Sequence, residues 1–135
     1  MAGNETLRAL FGQWLPQTIY FSEVEGGVTD GQSMNLVGIV GGEVAGVYAP
    51  YAGRILGLFA GSEASASFGI TPAIGGVDAA AAYDIAVTGL AQGSFYATPL
   101  AFAKGDLLGV NFDGTVNTAK DVNAQLYVAY DLSGG

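Results

Sequence analysis

Histidine and cysteine are both absent from this chain of 135 residues. Without histidine it lacks the commonest general base and the commonest nitrogen ligand for metals. Without cysteine, disulfides, thiolate metal sites and a thiol nucleophile are excluded. Cations are scarce as well. Arg8, Arg54, Lys104 and Lys120 stand against 12 acidic residues, for a formal charge of −8. Four scattered cations make no patch able to release counterions from a phosphate backbone, so neither nucleic acid nor an anionic membrane is an expected partner. No apolar run approaches the ~20 residues that a transmembrane helix needs. The N-terminus does not carry the basic, then apolar, then small-residue order of a secretory signal.

The motifs of common enzymes are missing in the same way. "GQSMN" (31–35) departs from the G-x-S-x-G nucleophile elbow at its last position, and no phosphate-binding G-x-x-x-x-G-K-[ST] occurs. Glu23 and Glu25 fall on one face of a strand beside a Gly-Gly turn, which reads as a solvated edge rather than an acid–base pair. Asp113, Asn117 and Asp121 are rich in oxygen ligands, but their spacing is not that of an EF-hand loop, and an ordinary polar turn accounts for them. The expectation is a protein without catalysis, cofactor or metal.

Half of the residues are apolar and 12% are charged, a low charge content for a soluble domain. Part of the surface is therefore expected to be covered by copies of the same chain. The 22 glycines cut the apolar content into pieces of strand length, at "EGGVTDGQS" (25–33), "VGGE" (40–43), "AGSEAS" (60–65) and "AIGGVD" (73–78). Between them the residues alternate. Leu108, Val110 and Phe112 share one face, as do Leu126, Val128, Tyr130 and Leu132, and as do Tyr83, Ile85 and Val87. "RILGLF" (54–59) is apolar on both faces, the pattern of a central strand or of a subunit interface. Further strands are expected at 18–24, 34–40, 65–70 and 94–102. About eight strands with turn signals between them predict an all-β antiparallel sandwich or barrel.

Residues 4–16 differ. Leu7, Leu10, Phe11 and Trp14 recur at the spacing of one helix face, with Pro16 as a stop. This predicts a short N-terminal helix or arm over 1–16, ahead of a single β-sandwich domain over 17–135. Such a face either packs on its own core or docks on a partner through its aromatic anchors. "KGD" (104–106) resembles a receptor-binding tripeptide, but Gly105 supplies a positive φ and Asp106 a side chain able to bond its own turn. A strand starts directly after it, so a hairpin turn is the expected structure.

Three stretches in order, "YAGRILGLFAGS" (51–62), "SFYATPLAFAKGDLLGVNFDG" (94–114) and "NTAKDVNAQLYVAYDL" (117–132), resemble the jelly-roll modules of bacteriophage virion proteins. Residues 70–89 depart from that pattern, without the Asn-Gly hairpin often found there and with alanines in place of bulkier residues. The resemblance implies a jelly-roll sandwich that acts as a homotrimeric decoration or cement protein. It would sit on the outer capsid surface against the major capsid protein, after assembly in the host cytoplasm. Under that expectation Leu7, Leu10, Phe11 and Trp14 dock on the capsid, and Tyr48, Tyr51, Leu56 and Leu58 form subunit contacts. The alternative is a trimeric tail-fibre or spike tip that binds a cell-surface glycan, with Tyr20, Phe95 or Tyr96 as an aromatic platform.

Overall fold

The computed structural model describes residues 12–22, 33–36, 46–113 and 122–134. Among them the chain is all-β and antiparallel. Its strands are β1 (Trp14–Ser22), β2 (Asn35–Leu36), β3 (Val47–Tyr48), β4 (Gly53–Ile74), β5 (Val77–Asp78), β6 (Ile85–Phe102), β7 (Leu107–Phe112) and β8 (Asn123–Asp131). The hydrogen-bonded order is β2-β1-β8-β4-β7-β3, with β5 and β6 also paired to β4.

β4 organises the fold. Its first half bonds β8 and the second half of β6, while its second half bonds β7 and the first half of β6. Two sheet halves thus meet along one long strand pair and enclose a common core in a sandwich-like arrangement. Segment 33–36 joins them again. Met34 donates its amide to the Val110 carbonyl on β7, and Leu36 pairs with Phe21 on β1.

The alternating patterns lie where the period of two requires. Leu108, Val110 and Phe112 of β7 and Ala124, Leu126, Val128 and Tyr130 of β8 all point into the core with Ile85 and Val87 of β6. On β4 the inward parity switches from Ile55 to Leu58 and Ala60. A bulge causes this, because Leu56 and Gly57 together stand opposite Tyr127.

Two expected breaks are absent. "AGSEAS" was expected to separate strands 54–59 and 65–70, yet both belong to β4; likewise 85–89 and 94–102 both belong to β6. Tyr83, expected on the face of Ile85 and Val87, lies in a 3-10 turn (Ala81–Tyr83) before the strand. The interruptions are absorbed as irregular register. Residues 62–65 stand opposite Leu90 alone, and residues 96–99 opposite Leu56 alone. The two shifts offset each other, so Ile55↔Leu100 and Ile70↔Ile85 have the same registration sum. Pro99 falls inside the second irregularity, where no ladder donor is needed. Gly75 and Gly76, with φ of 64° and 80°, close the two-residue hairpin between Ile74 and Val77, the geometry an Asn-Gly pair usually provides.

The expected helix is also corrected at its end. Residues 1–11 lie outside the described residues, but Trp14, Leu15 and Pro16 are the first three residues of β1, paired with Asp131, Tyr130 and Ala129. Their partners on β8 outweigh the helical spacing, and among the described residues β1 lies at an edge over this stretch, where a proline is tolerated. Tertiary pairing overrides a local pattern here.

Candidate functional site

Outward-facing side chains of β1, β8, β4 and β6 form a surface with a marked aromatic content. Cross-strand register sets its rows. Tyr20 stands opposite Gln125, which stands opposite Phe59, which stands opposite Gly93; Thr18, Tyr127, Gly57 and Phe95 form the next row. Phe59, Phe95 and Tyr127 make a closed triangle, with ring centroids 5.1 Å apart for Phe59–Phe95 and 5.4 Å for each of the other pairs. The two edge-to-face contacts, both made by Phe59, hold its ring more firmly than area burial alone.

Glycine makes room for the rings. A Cβ at position 93 would lie 2.3 Å from the Phe59 ring, and one at position 57 would lie 2.7 Å from the Phe95 ring. Each phenyl therefore covers a cross-strand glycine, which fixes its position on the sheet. Phe95 nevertheless remains 62% exposed and Tyr20 54%, so the aromatic surface faces outward.

Beside the triangle a cleft of about 700 Å³ is lined by Tyr20, Phe59, Gly61, Gln92, Asn123 and Gln125, among others. Two of its amides have their carbonyl oxygens engaged. Tyr127 donates its hydroxyl to Gln125 Oε1 at 2.7 Å. Thr88 donates its amide and its hydroxyl to Gln92 Oε1 at 3.1 and 3.2 Å. What each side chain retains is its NH2 group, a pair of donors.

The other end of this surface is polar. The Arg54 guanidinium lies 5.6 Å from the centre of the Trp14 ring, within cation–π range. Asp131 Oδ1 accepts from the hydroxyl and amide of Ser133 at 2.6 and 2.9 Å and from Gln13 Nε2 at 3.2 Å. The Ser133 bonds foremost, then Gln13 and nearby Arg54, hold the Asp131 carboxyl below its ordinary range. The sign follows from linkage. A depressed folded value contributes stability above the unfolded value of about 4 and loses it as pH falls through the folded value. Protection of the Ser133 amide, taken against its intrinsic exchange rate at each pH, is expected to fall at the acid end of that window, and Asp131→Asn to lower it to the same degree at neutral pH. An Asp131→Asn protein with unchanged protection would refute this role.

Other expected site residues separate. Trp14 is 37% and Tyr48 71% exposed. Tyr51 and Leu56 are half-buried, Tyr51 with its ring 6.2 Å from that of Tyr130. Leu58 is fully buried in the chain's own core, so its side chain has no surface to offer a second subunit; "RILGLF" is apolar at both parities because the bulge at Leu56 and Gly57 sends Ile55 and Leu58 to the same core, while Phe59 faces outward into the aromatic triangle. Leu7, Leu10 and Phe11 lie outside the described residues, as do Glu23, Glu25, Asn117 and Asp121. Of the expected aromatic platform, Tyr20 and Phe95 are exposed. Tyr96 instead turns inward, donating its hydroxyl to the Tyr83 carbonyl at 2.8 Å, and burial first, then Asp84 and Tyr83, pushes its phenol above the ordinary range. Phe59, Gln92 and Gln125 were not singled out by sequence, since their meeting depends on the register of β4 with β6 and β8.

The 104–106 turn forms as expected. Gly105 has φ 88°, Asp106 Oδ2 accepts the Ala103 amide at 2.9 Å, and the Gly105 amide donates to the Ala49 carbonyl. These bonds build the β6–β7 connection. No family model and no curated protein matches this chain.

Proposed function

We propose that this chain is a structural module of a bacteriophage virion: a jelly-roll decoration or cement protein, homotrimeric on the outer capsid surface, which clamps neighbouring capsomers and performs no reaction. The observation that carries this reading is spatial. The three stretches that resemble virion modules fold beside one another, 51–62 on β4, 94–114 through β6 and β7, and the strand part of 117–132 as β8. β6 and β8 bond the two edges of the first half of β4, and β7 bonds its second half.

The docking element in this reading is the segment before β1. Trp14 is outward-facing and part-exposed at the first position of β1, directly after Leu7, Leu10 and Phe11. Aromatic anchors of this kind bury much area at small entropic cost. An acidic surface suits a position outside the capsid, away from packaged nucleic acid.

Copy number tests the reading. Quantitative mass spectrometry of purified particles is expected to give one copy per major capsid subunit or a simple fraction of it; a few copies per particle would refute a lattice role. Deleting residues 1–11, which stops short of β1, is expected to abolish capsid occupancy while the sandwich stays folded. Full occupancy by the truncated protein would refute the docking arm.

A further inference from the structure

We infer that the cleft beside the Phe59–Phe95–Tyr127 triangle is a binding site for a neutral saccharide chain, held by stacking on Tyr20 and Phe59 and by hydrogen bonds from the amides of Gln92 and Gln125. The inference stands on the cleft and does not depend on the capsid reading.

Four observations carry it. A volume of about 700 Å³ is in the range of small-molecule sites, whereas a protein–protein contact is a broad surface of roughly 800 Å² on each partner. Its composition is mixed: exposed Tyr20 and half-buried Phe59 alternate with Gln92, Asn123 and Gln125. A pyranose ring presents C–H faces that pack on aromatic rings and hydroxyl oxygens that accept from NH2 groups, so both kinds of lining group find a match on it.

The third observation is order before binding. Phe59 is held over Gly93 and against two other rings, and both glutamines have their carbonyl ends engaged. Groups already held in place lose little entropy when a ligand arrives. The fourth is charge. None of the described lining residues is charged, and the chain as a whole carries −8. An anionic polysaccharide would meet long-range repulsion with no cation among the described lining residues to offset it, which selects a neutral one.

Calorimetric titration of the full chain tests this with neutral hexasaccharides of α-glucan, β-glucan, mannan, galactan and chitin type, and with oligogalacturonate as an anionic comparison. At least one neutral member is expected to bind, with a dissociation constant between about 10 μM and 1 mM, and Tyr20→Ala and Gln125→Ala are each expected to weaken it about tenfold. Val77→Ala, at an exposed position outside the cleft lining, is expected to leave it unchanged. Both cleft side chains point away from the core, and thermal melts establish that the variants fold; Gln125→Leu serves if Gln125→Ala does not. The inference is overturned if no neutral hexasaccharide binds at concentrations up to about 10 mM. It is also overturned if folded Tyr20→Ala and Gln125 variants keep full affinity, or if oligogalacturonate binds as tightly as the best neutral chain. Sedimentation gives the remaining outcome: if Tyr20→Ala dissociates an oligomer and no sugar binds, the surface belongs to a second copy.

Discussion

Truncating Phe112 to alanine is expected to destabilise the protein by about 3–5 kcal/mol, a large part of the ~5–15 kcal/mol that holds a domain of this kind together. Phe112 is fully buried and ends β7, paired with Ile70 on β4. Its ring stands edge-on to Phe68 at 6.2 Å. Two features keep the resulting cavity open. The Phe112 backbone is locked into the β4 ladder, and the next residue is tied too, the Asp113 amide donating to the Gly69 carbonyl at 3.0 Å. The sheet therefore has little freedom to collapse inward, and the missing contacts are not replaced. Denaturant unfolding would read this as a lower midpoint at nearly constant slope. A loss below about 1.5 kcal/mol would mean that the site relaxes, and that the core is looser than its burial suggests.

Gly53→Ala is expected to have the next largest effect, about 1–3 kcal/mol or more. Gly53 opens β4 between Tyr130 on β8 and Phe102 on β6. An added methyl would come 2.2 Å from the Ala129 carbonyl oxygen, 2.8 Å from Phe102 Cζ and 3.0 Å from the Tyr130 Cα. A flexible side chain could swing aside, but two of these three neighbours are backbone. The substitution must therefore part β4 from β8 or displace the Phe102 ring, which packs edge-on against Tyr130 at 6.0 Å. Either route disturbs the start of the strand on which the whole sheet is built. Unfolding at an unchanged midpoint would show that the strands separate there at no cost, contrary to the tight packing of protein interiors.

Tyr20→Ala makes a useful contrast with both. Its side chain is more than half exposed, so the substitution is expected to leave stability within about 0.5 kcal/mol while changing saccharide binding. Stability and binding thus separate by sheet face.

The all-β class and the inward faces of β7 and β8 were legible in the residues because alternation is local. A strand needs only its own period to declare which side is buried, and Leu126, Val128 and Tyr130 declare it without reference to their partners. The 103–106 turn was legible for a similar reason: Gly105 and Asp106 satisfy its geometry within a few residues. Pairing is not local. Whether "AGSEAS" ends a strand or makes an irregularity within one depends on whether β6 resumes its ladder on the far side, which nothing inside those six residues states. Trp14 shows the same limit, since its own place in a helical spacing carried less weight than the β8 backbone lying alongside.

By itself, the sequence determined the class of fold, the inward faces of β7 and β8 and the chemistry denied to it by having no histidine or cysteine. Those properties follow from side-chain type and short-range period. Only the tertiary structure decided that Leu58 is core, that Tyr96 is turned inward, and that Tyr20, Phe59, Gln92 and Gln125 line one cleft. The physical reason is register. These four residues come from four strands far apart in the chain, and a slip of one residue in any ladder would send its side chains to the opposite face.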